Sequence, residues 1–492
     1  MKHGDTKYPA RKICVVGCGY VGLVTAAGFA SLGHTVIGLE RDHARLAALR
    51  SGRVPFYEPG LEEQMRENMT SARLTFTDDC AAAVNDAEFV ALAVNTPVDE
   101  TGKVDLTDFW QAADQLVRTS AERRPIVIVK STVPVGTAQA LADFLCQRAG
   151  VESWSVVMNP EFLSEGSAVR SFLQPDRTVI GSDDEDALEE VASLNATSEA
   201  PVVKTDFRTA ELIKYGSNAF LATKISFINE LAQLCERTGA DVRTVALGMG
   251  LDSRIAPSFL RAGVGFGGSC LPKDTRALAR MARDEEGEFL IVEAAIEANL
   301  RRRQAVVLRL REALGSLAGK RIALWGLAFK PDTDDIREAP AADIIEALVK
   351  DGAEVHAYDP LANEVMQRRH RVAIYEADAL TAAHEADALV LLTEWEEFRS
   401  IDFTELRRRM RGNVVIDGRY FWDRGSVERA GLRYLTLTAG AASESQASAN
   451  GDRPIHHMTG LLEEVSGRAD RGGPPSHEAE AVASSAPEDG NR

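Results

Sequence analysis

Residues 12–22 read Lys-Ile-Cys-Val-Val-Gly-Cys-Gly-Tyr-Val-Gly. Residues 12–17 are a short apolar run of the kind that forms a buried strand, and Gly17–Gly22 match G-x-G-x-x-G. A small-residue helix from Val24 to Leu32 follows, then a second strand from Thr35 to Leu39 that ends at the acidic Glu40. The bare glycine pattern is weak; between a strand and a helix, with an acid closing the next strand, it reads as a dinucleotide-binding turn. Gly17 permits the tight turn, Gly19 lets a pyrophosphate approach the main chain, and Gly22 allows the helix to pack closely on the strand. Tyr20 and Val21 belong to the same cofactor loop. The helix N-terminus adds free amides and a favourable dipole. Glu40 would accept hydrogen bonds from the ribose hydroxyls and repel a 2′-phosphate, which favours NAD over NADP; the adjacent Arg41 weakens that preference a little.

Outward from this turn, further strands are expected at 88–94, 125–130 and 154–158, alternating with helical patterns, which indicates a parallel, doubly wound sheet. From about 206 to 310 the chain is nearly all helical in pattern. Residues 209–237 and 286–313 are long amphipathic stretches, and the second is too long, and too charged towards its end at Arg301, Arg302 and Arg303, for a compact α/β layer. It is expected to connect domains and is a candidate dimer seam. A second α/β unit starts at Lys320, with strands at 321–325, 354–358, 388–392 and 414–416, but Gly326-Leu327-Ala328-Phe329 replaces the dinucleotide fingerprint. The expected fold class is therefore α/β: two Rossmann-like, doubly wound parallel-sheet domains, 1–205 and 314–439, joined by a long-helix linker domain, 206–313. Residues 440–492 are rich in Ser, Ala, Gly, Glu and Pro, with few aromatics, and are expected to be a disordered tail.

Composition narrows the partners. A net charge of −18 over 492 residues argues against nucleic acid. An anionic substrate would then need local Lys/Arg pockets. Six cysteines lack CxxC spacing, which suggests reduced thiols in a cytoplasmic protein, with no disulfide framework and no metal site. His456-His457 is read as solvated rather than metal-binding. The first residues, MKHGDTKYPARK, lack the apolar core of a signal peptide, and no apolar run reaches the ~18 residues of a membrane helix.

Residues 263–274 read Gly-Val-Gly-Phe-Gly-Gly-Ser-Cys-Leu-Pro-Lys-Asp. Four glycines open space before Cys270, which lies just ahead of a helix expected to begin near Asp274. A helix N-terminus and the nearby Lys273 are two reasons for a lowered thiol pKa, so Cys270 is a candidate nucleophile. The bland alternative is a turn beside a structural cysteine. Lys130–Thr137 and Asn159–Gly166 each follow a strand, at the carboxyl edge where open sheets bind ligands. Glu211, Lys214 and Asn218 share one helix face. Alcohol oxidation needs a proton acceptor, which Lys or a carboxylate through water can supply. A cysteine is required only if the aldehyde is oxidised in turn, through a thiohemiacetal and a thioester.

The motifs Gly17–Gly22, Tyr57–Leu61, Thr96-Pro97, Ser131–Thr137, Asn159–Glu165, Pro175–Arg177, Glu211–Glu230, Gly263–Asp274 and Phe329–Glu338 together resemble the UDP-glucose/GDP-mannose dehydrogenase family. They span about residues 10–437. The resemblance implies an NAD domain, a helical dimerisation linker and a nucleotide-sugar domain, in a homodimer or higher homo-oligomer. It implies two successive NAD-dependent oxidations of UDP-glucose at C6, giving UDP-glucuronate. GDP-mannose as substrate, or a homologue that binds nucleotide sugars without turnover, remain the alternatives. By position, Cys270 resembles the family's nucleophile, and Lys214 and Asn218 its oxyanion-stabilising pair. Asp274 and Thr132 resemble the holders of the catalytic water. Glu161 and Glu165 resemble residues of the aldehyde step, of thioester hydrolysis and of the NAD contact. Thr96, Lys273, Arg337 and Arg419 are assigned to the cofactor. Phe162, Leu163, Phe259, Gly263, Gly267, Phe329 and Lys330 are assigned to the sugar nucleotide. Arg254 aligns with an arginine that reaches the neighbouring subunit's sugar site. Glu40 stands where Asp is commoner in the family.

Overall fold

A computed structural model describes residues 9–120, 124–195 and 199–437. The expected tail, 440–492, and its His456-His457 pair lie outside the described residues.

The first unit is an eight-stranded sheet of β1 (Lys12–Val16), β2 (Thr35–Leu39), β3 (Leu74–Thr77), β4 (Phe89–Leu92), β5 (Ile126–Val129), β6 (Val156–Met158), β7 (Thr178–Gly181) and β8 (Val202–Thr205). Their order is β3-β2-β1-β4-β5-β6-β7-β8. β1 lies between β2 and β4, so the winding reverses at its carboxyl end, directly beside Gly17. That reversal opens a crevice where open sheets take ligands. The expected strands of this half form; β3, β7 and β8 are additional. Among the described strand pairs of this sheet only β6–β7 runs antiparallel, meeting at Met158 and Gly181. The cause is local: residues 159–177 double back over the carboxyl edge, with the short helix Ala168–Leu173 as their only helix. They do not make a full crossover.

The second sheet holds β9 (Arg321–Trp325), β10 (Glu354–Tyr358), β11 (Ile374–Tyr375), β12 (Ala388–Leu391), β13 (Val414–Asp417) and β14 (Arg433–Leu435), all parallel, in the order β11-β10-β9-β12-β13-β14. Asp359, after β10, stands where Glu40 stands in the first unit. It is buried and accepts from the Leu327 and Ala328 amides at 2.6 and 3.0 Å and from Trp395 Nε1 at 2.9 Å. The acid here ties its own turn together, which agrees with the lost fingerprint.

Between the sheets run the helices Phe207–Thr238, Leu271–Asp284 and Leu290–Leu314. Asp206 caps the first, accepting from the Thr209 amide at 2.9 Å, and Gly239 ends it at φ +77°. Tyr215 and Ala219 pack against Ala277, Leu278 and Val292, which fuses the three into one block. Two expectations change. The helix Leu271–Asp284 begins at Leu271, not Asp274, because Pro272 fits its first turn and leaves Cys270 at the N-cap position. The arginines at 302 and 303 do not form a charged end; they lie within the helix Leu290–Leu314 and are buried, with polar partners. Among the described residues no helix is long and apolar enough to cross a membrane.

Candidate active site

The dinucleotide turn has the geometry its glycines suggest. Gly17 takes φ +88°, and a Cβ on Gly22 would sit 1.7 Å from the Gly17 carbonyl oxygen. Gly19 is the N-cap of the helix Tyr20–Ser31 and supplies no side chain to its free amides. A Cβ on Gly19 would find only Asn95 Oδ1, at 3.9 Å, so the cradle is open where a pyrophosphate would lie. The residues present therefore fit a dinucleotide. Glu40 is buried and accepts from the Cys18 and Asp42 amides at 3.1 and 2.8 Å, and from Arg45 at 3.0 Å. Arg41 turns outward to Asp108 at 2.8 Å. Tyr20 hydroxyl donates to Glu58, which also receives the Gly166 and Ala168 amides, both at 2.7 Å. The cofactor turn is thus tied to the loop carrying Glu161 and Glu165. Gly22→Ala should abolish NAD binding while leaving the second sheet folded, since the helix must lift off β1 to admit a methyl; calorimetric titration with NAD checks this.

The carboxyl ends of three adjacent strands meet beyond this turn. Thr96 follows β4, Thr132 follows β5 and Asn159–Glu165 follow β6. Thr96 Oγ1 donates to the Thr132 carbonyl at 2.8 Å. From the helix Phe207–Thr238, Lys214 reaches Glu161 Oε1 at 3.1 Å, and Asn218 donates to Asp274 Oδ2 at 2.6 Å. All four side chains are buried. Cys270 lines one cavity wall with Glu161, Lys214 and Asn218, its carbonyl accepts the Asp274 amide at 2.8 Å, and its thiol lies within the field of Glu161, Lys214 and Asp274. Glu211 leaves the group: its carboxylate accepts the Gly136 and Ala138 amides at 2.6 and 2.7 Å and caps the helix Thr137–Ala149.

The charges are strongly coupled. Burial opposes ionisation of Glu161, but the Lys214 charge and the Leu163 amide outweigh it and hold the carboxyl below its ordinary range. Burial likewise opposes the Lys214 charge, and Glu161, Cys270 and Asp274 reverse the outcome, so this amine stays protonated. The Cys270 thiol departs from expectation. Burial and the Glu161 charge push it up to about 11, against the opposing pull of Lys214. Lys273 does not offset this, since its amine is committed to Asp274 at 2.5 Å. Glu165 is pushed up to about 8, first by burial and then by the Asp335 charge. Ser269 Oγ donates to it at 3.0 Å, and Arg337, forked on Asp335, approaches it at 3.4 Å.

A cavity of about 2280 Å³ runs from this group to the second sheet. Glu161, Phe162, Leu163, Glu165, Lys214, Asn218, Phe259, Gly267, Cys270, Phe329, Lys330 and Arg419 lie in its wall. Lys330 donates to Ser164 at 3.1 Å, bridging the two units. Arg419 is held by the Leu392 and Phe329 carbonyls at 2.5 and 3.2 Å, on the second-sheet side rather than at the dinucleotide turn. Gly263 is not in the wall; it lies against Arg419. Arg254 is 88 % exposed at its side chain, pairs with Asp252, and is absent from the wall. Sequence reasoning gave no role to Lys130, although it lies in a motif. Lys130 is buried beside Glu161 and Lys214, donates to Asn159 at 3.1 Å, and burial lowers its amine to about 8. Its signal was a lysine directly after an apolar strand, where only the carboxyl-edge crevice can hold the charge.

A dinucleotide turn tied to the loop that carries Glu161 and Glu165, and a cavity lined by that loop, by Cys270 and by the second Rossmann-like unit, are the arrangement of a nicotinamide-dependent dehydrogenase. The UDP-glucose/GDP-mannose dehydrogenase family matches in three parts: its NAD binding domain over residues 11–198, its central domain over 208–301 and its UDP binding domain over 323–424. The chain belongs to that family. It is 45 % identical over 452 residues to the UDP-glucose 6-dehydrogenase of Pseudomonas aeruginosa, covering 89 % of this chain and 100 % of the relative. It is 42 % identical over 441 residues to UDP-glucose 6-dehydrogenase TuaD of Bacillus subtilis, covering 89 % and 95 %. The solved structure of a UDP-glucose dehydrogenase from Pyrobaculum islandicum superposes with a TM-score of 0.83 at 37 % identity, covering 89 % of this chain and 99 % of the other.

Proposed function

We propose that this chain oxidises UDP-glucose at C6 to UDP-glucuronate, consuming two NAD and one water and releasing two NADH and three protons. The observation that carries this reading is that Cys270 shares one cavity wall with Glu161, Lys214 and Asn218, which are held in the pairs Lys214–Glu161 and Asn218–Asp274. Gly17, Gly19, Tyr20, Val21, Gly22 and Glu40 would hold the dinucleotide, which supplies a hydride acceptor. In the first oxidation Glu161, kept anionic, takes the C6 hydroxyl proton through water. Lys214 and Asn218 stabilise the oxyanion at C6. The Cys270 sulfur then bonds to C6 of the aldehyde while its proton passes to the C6 oxygen, giving a thiohemiacetal; a neutral thiol is therefore a competent resting state. Loss of the second hydride to the second NAD, with the hydroxyl proton leaving through water, gives a thioester. Water held by Asp274 and Thr132 attacks it, the S–C bond breaks, and the acid leaves.

On this reading residues 1–205 bind the dinucleotide, with Thr96, Glu165, Lys273 and Arg337 at its reacting end, and 314–439 bind UDP. Residues 206–313 carry the subunit contact. The exposed Phe220, Phe227 and Leu234 recur every seven residues on one helix face, which supports a homodimer, with the exposed Arg254 reaching a neighbour once it leaves Asp252. All six cysteines are free, which supports a reducing, cytoplasmic setting. The test is NADH formation with UDP-glucose and GDP-mannose side by side. Two NADH per UDP-glucose are expected; turnover of GDP-mannose only would overturn the substrate assignment.

A further inference from the structure

Arg303 sits mid-helix, yet its side chain is only 6 % exposed. Its Nη2 donates to two carbonyls, Phe266 at 2.8 Å and Glu338 at 3.0 Å, while Nη1 meets Asp343 Oδ2 at 2.6 Å. One turn earlier, Asn299 embraces the same residue: its Oδ1 accepts the Phe266 amide at 2.7 Å and its Nδ2 donates to the Phe266 carbonyl at 3.0 Å. The two main-chain segments are in close contact. A Cβ on Gly267 would lie 2.4 Å from the Glu338 carbonyl, and the Gly268 amide donates to the Arg337 carbonyl at 2.9 Å.

We propose that Arg303, with Asn299, is a positioning residue for the thiol chemistry: it clamps the loop that ends in Cys270 to the Phe329–Glu338 segment of the nucleotide-sugar wall. The inference rests on the reaction proposed above. Phe266 and Gly268 lie four and two residues before Cys270, and the partner segment carries Lys330 at one end and Arg337 at the other. The side chain that spans them therefore sets where the sulfur stands relative to a sugar held by that wall. Burying a guanidinium is costly, and an apolar side chain could fill the same volume at less cost. Arg303 is placed where a forked donor binds both carbonyls through Nη2 while Nη1 anchors on Asp343. The thiol is needed in the second oxidation and not in the first, so the clamp should act on one phase.

The full-length Arg303→Met and Arg303→Lys variants should be mixed rapidly with NAD and UDP-glucose, with NADH followed in time. Alkylation of the thiol by iodoacetamide should be measured against pH in parallel. In Arg303→Met the second phase should slow by about tenfold or more while the first stays within about twofold, because a misplacement near 1 Å is enough for a loss of this order. Its alkylation profile should differ from wild type, and the lysine variant should recover part of the second phase. Equal slowing of both phases in folded protein, or no change in either, would overturn the proposal. If Arg303→Met does not fold, Arg303→Lys and Asn299→Ser are judged by the same two readouts. If the wild-type chain forms no NADH with any nucleotide sugar, the proposed reaction fails, and the alkylation profiles still decide the clamp: profiles matching wild type reject it.

Discussion

Cys270→Ser should form one NADH per UDP-glucose and then stall, with overall turnover to the acid reduced by at least about a thousandfold. In the proposed mechanism nothing in the first oxidation uses the sulfur: the C6 proton would go to Glu161 and the developing charge would face Lys214 and Asn218. The second oxidation needs a covalent adduct, and a serine hydroxyl is the poorer nucleophile. The measurement is NADH stoichiometry with trapping of an aldehyde-level product by an amine reagent. Two NADH per sugar at the wild-type rate would remove Cys270 from the mechanism. A pH corollary follows from the unliganded site. The thiol is pushed up to about 11 by burial and then by the Glu161 charge, so its alkylation rate should climb steadily from neutral pH towards that value. Glu161→Gln removes the second cause and should move the profile to lower pH.

The layout of the site was largely legible because two periodicities carry it. Apolar strands end at carboxyl-edge motifs, which put Thr132, Glu161 and Glu165 on one rim, and helical spacing put Lys214 and Asn218 on one face. What stayed hidden depends on distances between distant segments. Glu211 shares the Lys214 face, and only its contact with the Gly136 and Ala138 amides shows that it is a cap. The raised Cys270 thiol was misread because a helix N-terminus and a lysine argue for the opposite direction. Burial and two carboxylates, brought in from residues 161 and 274, decide otherwise. Arg302 and Arg303 were read as a charged end. Yet Val292, Ala295, Asn299, Arg302, Val306 and Leu310 keep one buried helical phase, and polar residues on an apolar phase are a usable signal. The same rule would have found Arg303 and Asn299. It would not have found Lys130, whose partner Asn159 lies on another strand end.

Lys214→Met should lose activity and stability together, but with different pH dependences. The activity loss is expected at about 10²–10³-fold in kcat, the size seen when one oxyanion donor is removed, and it should persist at every pH. The stability loss comes from Glu161. In the wild-type chain Lys214 holds this carboxyl below its ordinary range, so its contribution is present above about pH 4.5 and fades as pH falls through the lowered value. Removing the ammonium leaves burial as the leading influence, with only the Leu163 amide and the weakened Lys130 charge to oppose it. The carboxyl then titrates above its ordinary value, and ionising it works against folding. The variant should therefore lose about 3 kcal/mol or more near pH 8, as expected for an orphaned buried charge, and regain much of it near pH 5. Urea titrations of both proteins at the two pH values measure the difference. A second substitution, Glu161→Gln on the Lys214→Met background, should restore stability at pH 8 without restoring activity, since it removes the buried charge but not the need for a cation at C6. A double variant no more stable than Lys214→Met would show that the methionine disturbs packing instead.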